Sequence, residues 1–158
     1  MRSILKLLGY DYNLVKKRGL RIKMNILVID AQGGGIGRQI VAEVREAFPQ
    51  ACVSAVGTNV MATSTMLKAG ANYAATGENA VMVGCRRADV IIGPIGIVIA
   101  DAMHGEITPA MALAVGQSNA RRILLPMSHC DNIVVGVSNF SISSLISDVI
   151  DELNKIPE

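Results

Sequence analysis

The chain predicts an α/β protein, a single doubly wound Rossmann-like domain built on a mainly parallel sheet of five to six strands. Three observations carry that expectation. Beyond Met24, short β-branched runs alternate with longer helical segments, the pattern of a parallel sheet with helices on both faces. Hydrophobic residues make up 51% of the 158 and aromatics only 3%, so the core must come from Val, Ile, Leu, Ala and Met, a composition that suits strands buried on both faces. A glycine cluster, Gly33-Gly34-Gly35 with Gly37, stands directly after the first apolar run and before the first helical segment. Unpartnered N–H groups at a helix N-terminus attract anions.

Each element follows in order. Residues 26–30 form the first strand and residues 35–48 the first helix, ended by Pro49. Residues 52–56 are the second strand, and Gly57-Thr58-Asn59 turns into a second helix closing at Ala69-Gly70. A short third strand lies near residues 72–75. Thr76-Gly77-Glu78-Asn79 has the chemistry of a helix start, a hydroxyl to cap free N–H groups and an acid in the first turn; this third helix runs to about Ala88. The fourth strand, 90–92, is stopped by Gly93-Pro94. Thr108-Pro109 opens the next helix, because proline at the first helical position loses no hydrogen bond. Residues 123–125 are the fifth strand and residues 133–137 a candidate sixth. Over residues 141–156, Ile142, Leu145, Ile146, Val149, Ile150 and Leu153 recur at helical spacing, a stripe that packs against the sheet.

The net charge of +2 conceals two regions. Residues 1–23 hold seven of the fifteen Lys/Arg but only Asp11 of the thirteen acids, a net of +6; eight basic and twelve acidic residues remain, a net of −4. Residues 1–23 therefore read as a basic N-terminal appendage, helical or disordered, and residues 24–158 as the ligand-binding domain. Two accounts of the appendage stay open, an upstream start and a basic anchor for a membrane or acidic partner. Its basic cluster follows the short apolar stretch instead of preceding it, unlike a secretory signal. The acidic body lacks the electrostatic footprint of a nucleic-acid binder.

Val90 to Ala100, the most apolar stretch, is bounded by Asp89 and Asp101 and falls well short of the ~20 residues that span a bilayer. A cytoplasmic protein is the expectation. Cys52, Cys85 and Cys130 are odd in number and contain no C-x-x-C pair, so reduced, mostly buried thiols are expected, with neither a disulfide framework nor a metal site. Met61, Met66, Met82, Met103 and Met111 are read as fillers of irregular gaps in a core poor in aromatics. So apolar a chain is also compatible with a homo-oligomer.

In a doubly wound sheet, ligands bind beyond the carboxyl ends of the strands, where strand order reverses. The polar groups expected there are Asp30, then Gln32, Gly33, Gly34, Gly35, Ile36 and Gly37 after the first strand, Thr58 and Asn59 after the second, Thr76, Gly77, Glu78 and Asn79 after the third, and Gly93 after the fourth. A small phosphorylated ligand suits this set. The dinucleotide pattern G-x-G-x-x-G fits Gly33 and Gly35 but meets Arg38 at its third glycine. The short-chain-dehydrogenase variant G-x-x-x-G-x-G fits Gly35 and Gly37 with Ala31 at the first position. The deviant Walker pattern fits Gly34, Gly35 and Gly37, but Gly33, Arg38 and Gln39 replace both lysines and the Mg²⁺-binding hydroxyl. NTP hydrolysis is thereby disfavoured, and phosphate binding is not.

NAD enzymes usually place an acid at the end of the second strand to hold the adenosine ribose. Here no Asp or Glu lies between Glu46 and Glu78. Thr58 and Asn59 could bind a ribose or its 2′-phosphate without charge, which leaves NADP, another nucleotide or a small anion open; helix capping is the plainer role for both. Tyr12 and Lys16 share the spacing of a reductase proton donor but precede the glycine loop, in the wrong order along the chain. For acid–base, metal or nucleophile chemistry the candidates are Glu78, Glu106, Asp30, His104, His129 and Cys85, none in a recognisable local motif. Glu78 is the first to test, because its loop should face the glycine run; complementing the helix dipole is its simpler role.

Six strings recur in order: Asp30 to Gly37, Gly57-Thr58-Asn59 with Ala62-Thr63, Met66 to Ala71, Ala75 to Ala80, Ile91 to Ile95, and Gly105 to Pro109. In these the chain resembles a family of uncharacterised bacterial proteins grouped as a domain of unknown function, over about Met24 to Val137. The resemblance implies a small Rossmann-like domain and supplies no activity. Three functions remain in play: a nucleotide or phosphorylated-ligand binder; an NADP-type oxidoreductase or other small-molecule enzyme using Glu78 or Glu106; and a non-catalytic oligomeric or regulatory protein whose glycines serve close packing alone.

Overall fold

The first apolar run becomes β1 (Asn25–Asp30), whose last five residues are all buried. A strand covered on both faces must be apolar at successive positions, and this one alternates between two cores. In this computed structural model residues 24–127, 132–137 and 141–156 are described. The chain continues through α1 (Gly35–Ala47), β2 (Cys52–Gly57), α2 (Val60–Lys68), β3 (Tyr73–Thr76), α3 (Glu78–Arg87), β4 (Val90–Pro94), a 3-10 turn (Ile95–Val98), α4 (Pro109–Gln117), β5 (Arg121–Leu125) and α5 (Ile142–Asn154). The five strands are ordered β3-β2-β1-β4-β5 and all pair in parallel. The fold is the predicted α/β, Rossmann-like single domain.

Ile26 and Val28 point to one face, where they meet Ile40, Val41 and Val44 of α1, Met66 of α2, and Leu145, Ile146, Val149 and Leu153 of α5. Leu27 and Ile29 point to the other, against Val81 and Cys85 of α3 and Met111, Ala112 and Val115 of α4. Fully burying a side chain such as Ile40 or Leu153 contributes roughly 1.5–3 kcal/mol. Met61 departs from the expected core role, being 67% exposed. The outer side of the short α2 faces solvent there. Cys85 is buried, Cys52 is half-buried and both are free thiols; burial pushes the Cys85 thiol up to about 11.

Two sequence expectations about strands are corrected. Gly93 and Pro94 extend β4 instead of stopping it, pairing with Leu124 and Leu125. Glycine is required there by proximity, since a Cβ on Gly93 would lie 2.5 Å from the Ile29 carbonyl oxygen. Residues 133–137 do not form a sixth strand. Gly136 takes a φ of 86°, which bends the run, and Ile133 and Val135 are each 93% exposed. Strand propensity without a neighbouring ladder does not make a strand. No helix among the described residues is long and apolar enough to cross a membrane.

Candidate functional site

The connections from β1 and β4 lead to helices on opposite faces of the sheet, and at such a switch point doubly wound sheets form their crevice, beyond the carboxyl ends of the strands. Asp30 and Gly57 are register partners at the ends of β1 and β2, which brings the loops after both strands to one place. Three groups of residues meet there.

The first is the glycine loop. Gly34 caps α1 in the left-handed region (φ 67°) with no side-chain cap, and its N–H donates to the Ala31 carbonyl at 3.0 Å. A Cβ on Gly34 would lie 2.7 Å from the Ala62 Cα, and one on Gly37 would lie 2.5 Å from the Met66 sulfur and 2.7 Å from the Asp30 Cβ. These two glycines let α1 and α2 close onto the end of β1. Gly33 and Gly35 differ: a Cβ on either would meet nothing within 4 Å, and neither has a positive φ. Their N–H groups have no hydrogen-bond partner among the described residues.

The second group is Asp30 itself, 4% exposed. Its carboxylate accepts from the Ala31 N–H at 2.8 Å and from the Gly37 N–H at 2.7 Å. Burial pushes the carboxyl above its ordinary value of 3.8 and the nearby Glu106 charge adds to the rise, against the Gly37 and Ala31 donors that favour the ionised form. Asp30 thus takes one of the first-turn donors of α1 and braces the loop from within.

The third group is assembled from distant chain segments. Oε2 of Glu106 accepts from the Gln32 N–H at 3.1 Å, from Asn59 Nδ2 at 2.8 Å and from the Thr58 hydroxyl in a short hydrogen bond. Asn59 also caps α2, its Oδ1 accepting from the Ala62 N–H at 2.9 Å, and Nδ2 donates to the Gln32 carbonyl at 3.0 Å. Desolvation works to raise the Glu106 pKa, but the donors from Thr58, Gln32 and Asn59 outweigh it and hold the group below its ordinary value of 4.5. The approach to Glu106 bends sharply, with Asp101, Met103 and His104 at φ of 63°, 55° and 59° and Gly105 at 83°. Non-glycine residues adopt that region at a cost of order 1 kcal/mol each.

Residues 25–158 match the protein family described as a domain of unknown function, DUF3842. The chain belongs to that family. Comparison with curated proteins gives no match.

In this member of the DUF3842 family, the other sequence candidates fall into separate places. Thr76 does not cap α3; its hydroxyl pairs with that of Thr63 at 2.7 Å, and Gly77 takes the cap position without a side-chain bond. Thr63, which the sequence marks only as part of a family string, ties the loops after β2 and β3, its hydroxyl also donating to the Asn59 carbonyl. Glu78 accepts from the Thr108 hydroxyl at 2.6 Å, which occupies it with the start of α4 and not with the glycine run. Asn79 is exposed, while Ile36 packs its side chain against the α1-side core and offers the crevice only backbone. His104 is exposed. Residues 1–23, including Tyr12 and Lys16, and the His129-Cys130-Asp131 string lie outside the described residues. Among the described residues no three His, Cys, Asp or Glu converge as metal ligands. Surface hollows lie elsewhere, one of about 490 Å³ beside Met82, Cys85 and Leu113 and one of about 610 Å³ beside Arg38, Glu43 and Ser147. Neither includes a residue of the glycine loop or of the Thr58, Asn59 and Glu106 group.

Proposed function

We propose that this protein binds a nucleotide or other phosphorylated small molecule at the Gln32-Gly33-Gly34-Gly35-Ile36-Gly37 loop, with Thr58 and Asn59 beside it and the Thr76, Gly77, Glu78 and Asn79 loop at the margin. The observation that carries the reading is the division among the glycines. Gly34 and Gly37 are accounted for by packing, as a purely structural role requires. Gly33 and Gly35 are not: both face open space with ordinary backbone, and their N–H groups have no partner among the described residues. Positions where a side chain would fit the protein, but where none exists, suit a ligand that approaches the backbone closely.

The test is a thermal-unfolding panel of NAD, NADP, ADP, ATP and ribose 5-phosphate on the wild-type chain and on Gly35→Ala. Ligand at 100 times its dissociation constant adds about 2.7 kcal/mol. The expected result is stabilisation of the wild type by at least one of these compounds and a weaker response in Gly35→Ala. Folded protein that responds to none of them overturns the reading.

A further inference from the structure

We propose that Glu106 is the acceptor for the vicinal hydroxyls of a ribose, so that the nucleotide held at the glycine loop carries a free 2′-hydroxyl and not a 2′-phosphate. The inference rests on the nucleotide reading above and names the part of the ligand that this side of the crevice takes. Dinucleotide-binding sheets place an acid at the end of the second strand for this purpose, and the sequence offers no Asp or Glu between Glu46 and Glu78. The tertiary structure fills the vacancy from another element. Glu106, 48 residues beyond Thr58, sets its carboxylate on Thr58 and Asn59, directly after β2, and on the Gln32 N–H at the head of the glycine loop.

The detail of the hydrogen bonding favours a ligand-facing role. All three donors reach Oε2, and Oε1 accepts nothing from the described residues. One oxygen is anchored and the other has its acceptor capacity left for a hydroxyl. The anchoring donors keep the group ionised near neutral pH, which suits accepting from a diol and disfavours a second phosphate in the same place by like-charge repulsion. The same ionisation makes Glu106 ill-matched to shuttling a proton at neutral pH. Glu106 therefore replaces charge-neutral recognition by Thr58 and Asn59 alone, the arrangement under which NADP had remained open.

Equilibrium binding of NAD against NADP, and of ADP against 2′-deoxy-ADP, tests this on the wild-type chain before any substitution is made. The expected result is a preference of about 100-fold for NAD over NADP, from a like-charge cost of several kcal/mol, and weaker binding of the deoxy compound. Glu106→Gln should bring NAD and NADP to within about tenfold of each other, a ratio that a merely structural prop would leave unchanged. NADP binding as tightly as NAD to the wild type overturns the inference and leaves the nucleotide reading standing. An undiminished NAD preference in Glu106→Gln likewise overturns it. Binding of none of the four overturns the inference together with the nucleotide part of that reading.

Discussion

The two connections that meet beyond β1 and β4 are built by opposite means. Residues 31–34, between β1 and α1, form a tight turn shaped by Gly34 and Gln32, both in the left-handed region (φ 67° and 53°), and by Asp30 at its root, a neighbour in sequence. The connection from β4 to α4 is longer, carries three non-glycine residues in the left-handed region, and is tied to the first loop through Glu106. One is shaped mainly by residues close together in sequence, Asp30, Gln32 and Gly34. The other is specified by a contact between segments far apart along the chain, and its backbone conformation is tolerated because that contact and the packing of Ile107 hold it. The lesson is that a glycine run alone does not define a crevice; a second, anchored loop completes it.

The largest effects should separate the two kinds of glycine. Gly37→Val or Gly34→Ala should destabilise the fold by about 3 kcal/mol, combining overpacking with left-handed strain in the second case, whereas Gly33→Ala and Gly35→Ala should stay within about 0.5 kcal/mol. Urea unfolding reads the difference. Equal losses at all four positions would dissolve the distinction on which the binding reading rests.

Next in size is the root of the first loop. Asp30→Asn keeps one acceptor but turns an amide N–H toward a backbone donor, at a cost of about 2 kcal/mol at neutral pH. Across the acid range the two carboxylates should act in opposite directions. Asp30 has a raised folded pKa, so the folded chain holds a proton that the unfolded chain has lost, and its contribution falls as pH rises from the ordinary value of 3.8 through the raised one. Glu106 has a lowered folded pKa, so its contribution is full above the ordinary value of 4.5 and is lost as pH falls through the lowered one. Unfolding midpoints from about pH 3 to pH 7 should therefore show the falling component absent from Asp30→Asn and the rising component absent from Glu106→Gln. Parallel curves for both variants and the wild type would contradict these environments.

The bridge between the loops is open to a double-mutant cycle. Thr58→Val and Glu106→Gln should be non-additive, with a coupling of about 1 kcal/mol; additivity would mean that the contact carries no energy. The smallest effect concerns the bent approach. His104→Gly should raise stability by about 0.5 kcal/mol, because an exposed left-handed position gains from losing its Cβ, and a loss there would show that the imidazole contributes more than its conformation costs.

Much of the fold was legible because its signals are local. The apolar runs gave β1, β2 and β4, the stripe from Leu145 to Leu153 gave the buried face of α5, and Thr108-Pro109 gave the start of α4. The reading failed where a local signal depends on a neighbour: 133–137 has strand chemistry without a ladder, and Thr76 has a capping hydroxyl that Thr63 engages instead.

By itself, then, the sequence determined the order of elements, the parallel sheet and the position of the glycine loop, since hydrophobic period and missing side chains act over a few residues. Only the tertiary structure decided which glycines serve packing and which face open space, and which acid joins them. Gly37 is explained by Met66, and Thr58 finds Glu106 48 residues away. Such partnerships belong to the path of the whole chain, because they depend on where the strands stack and not on the propensities of the segments that meet.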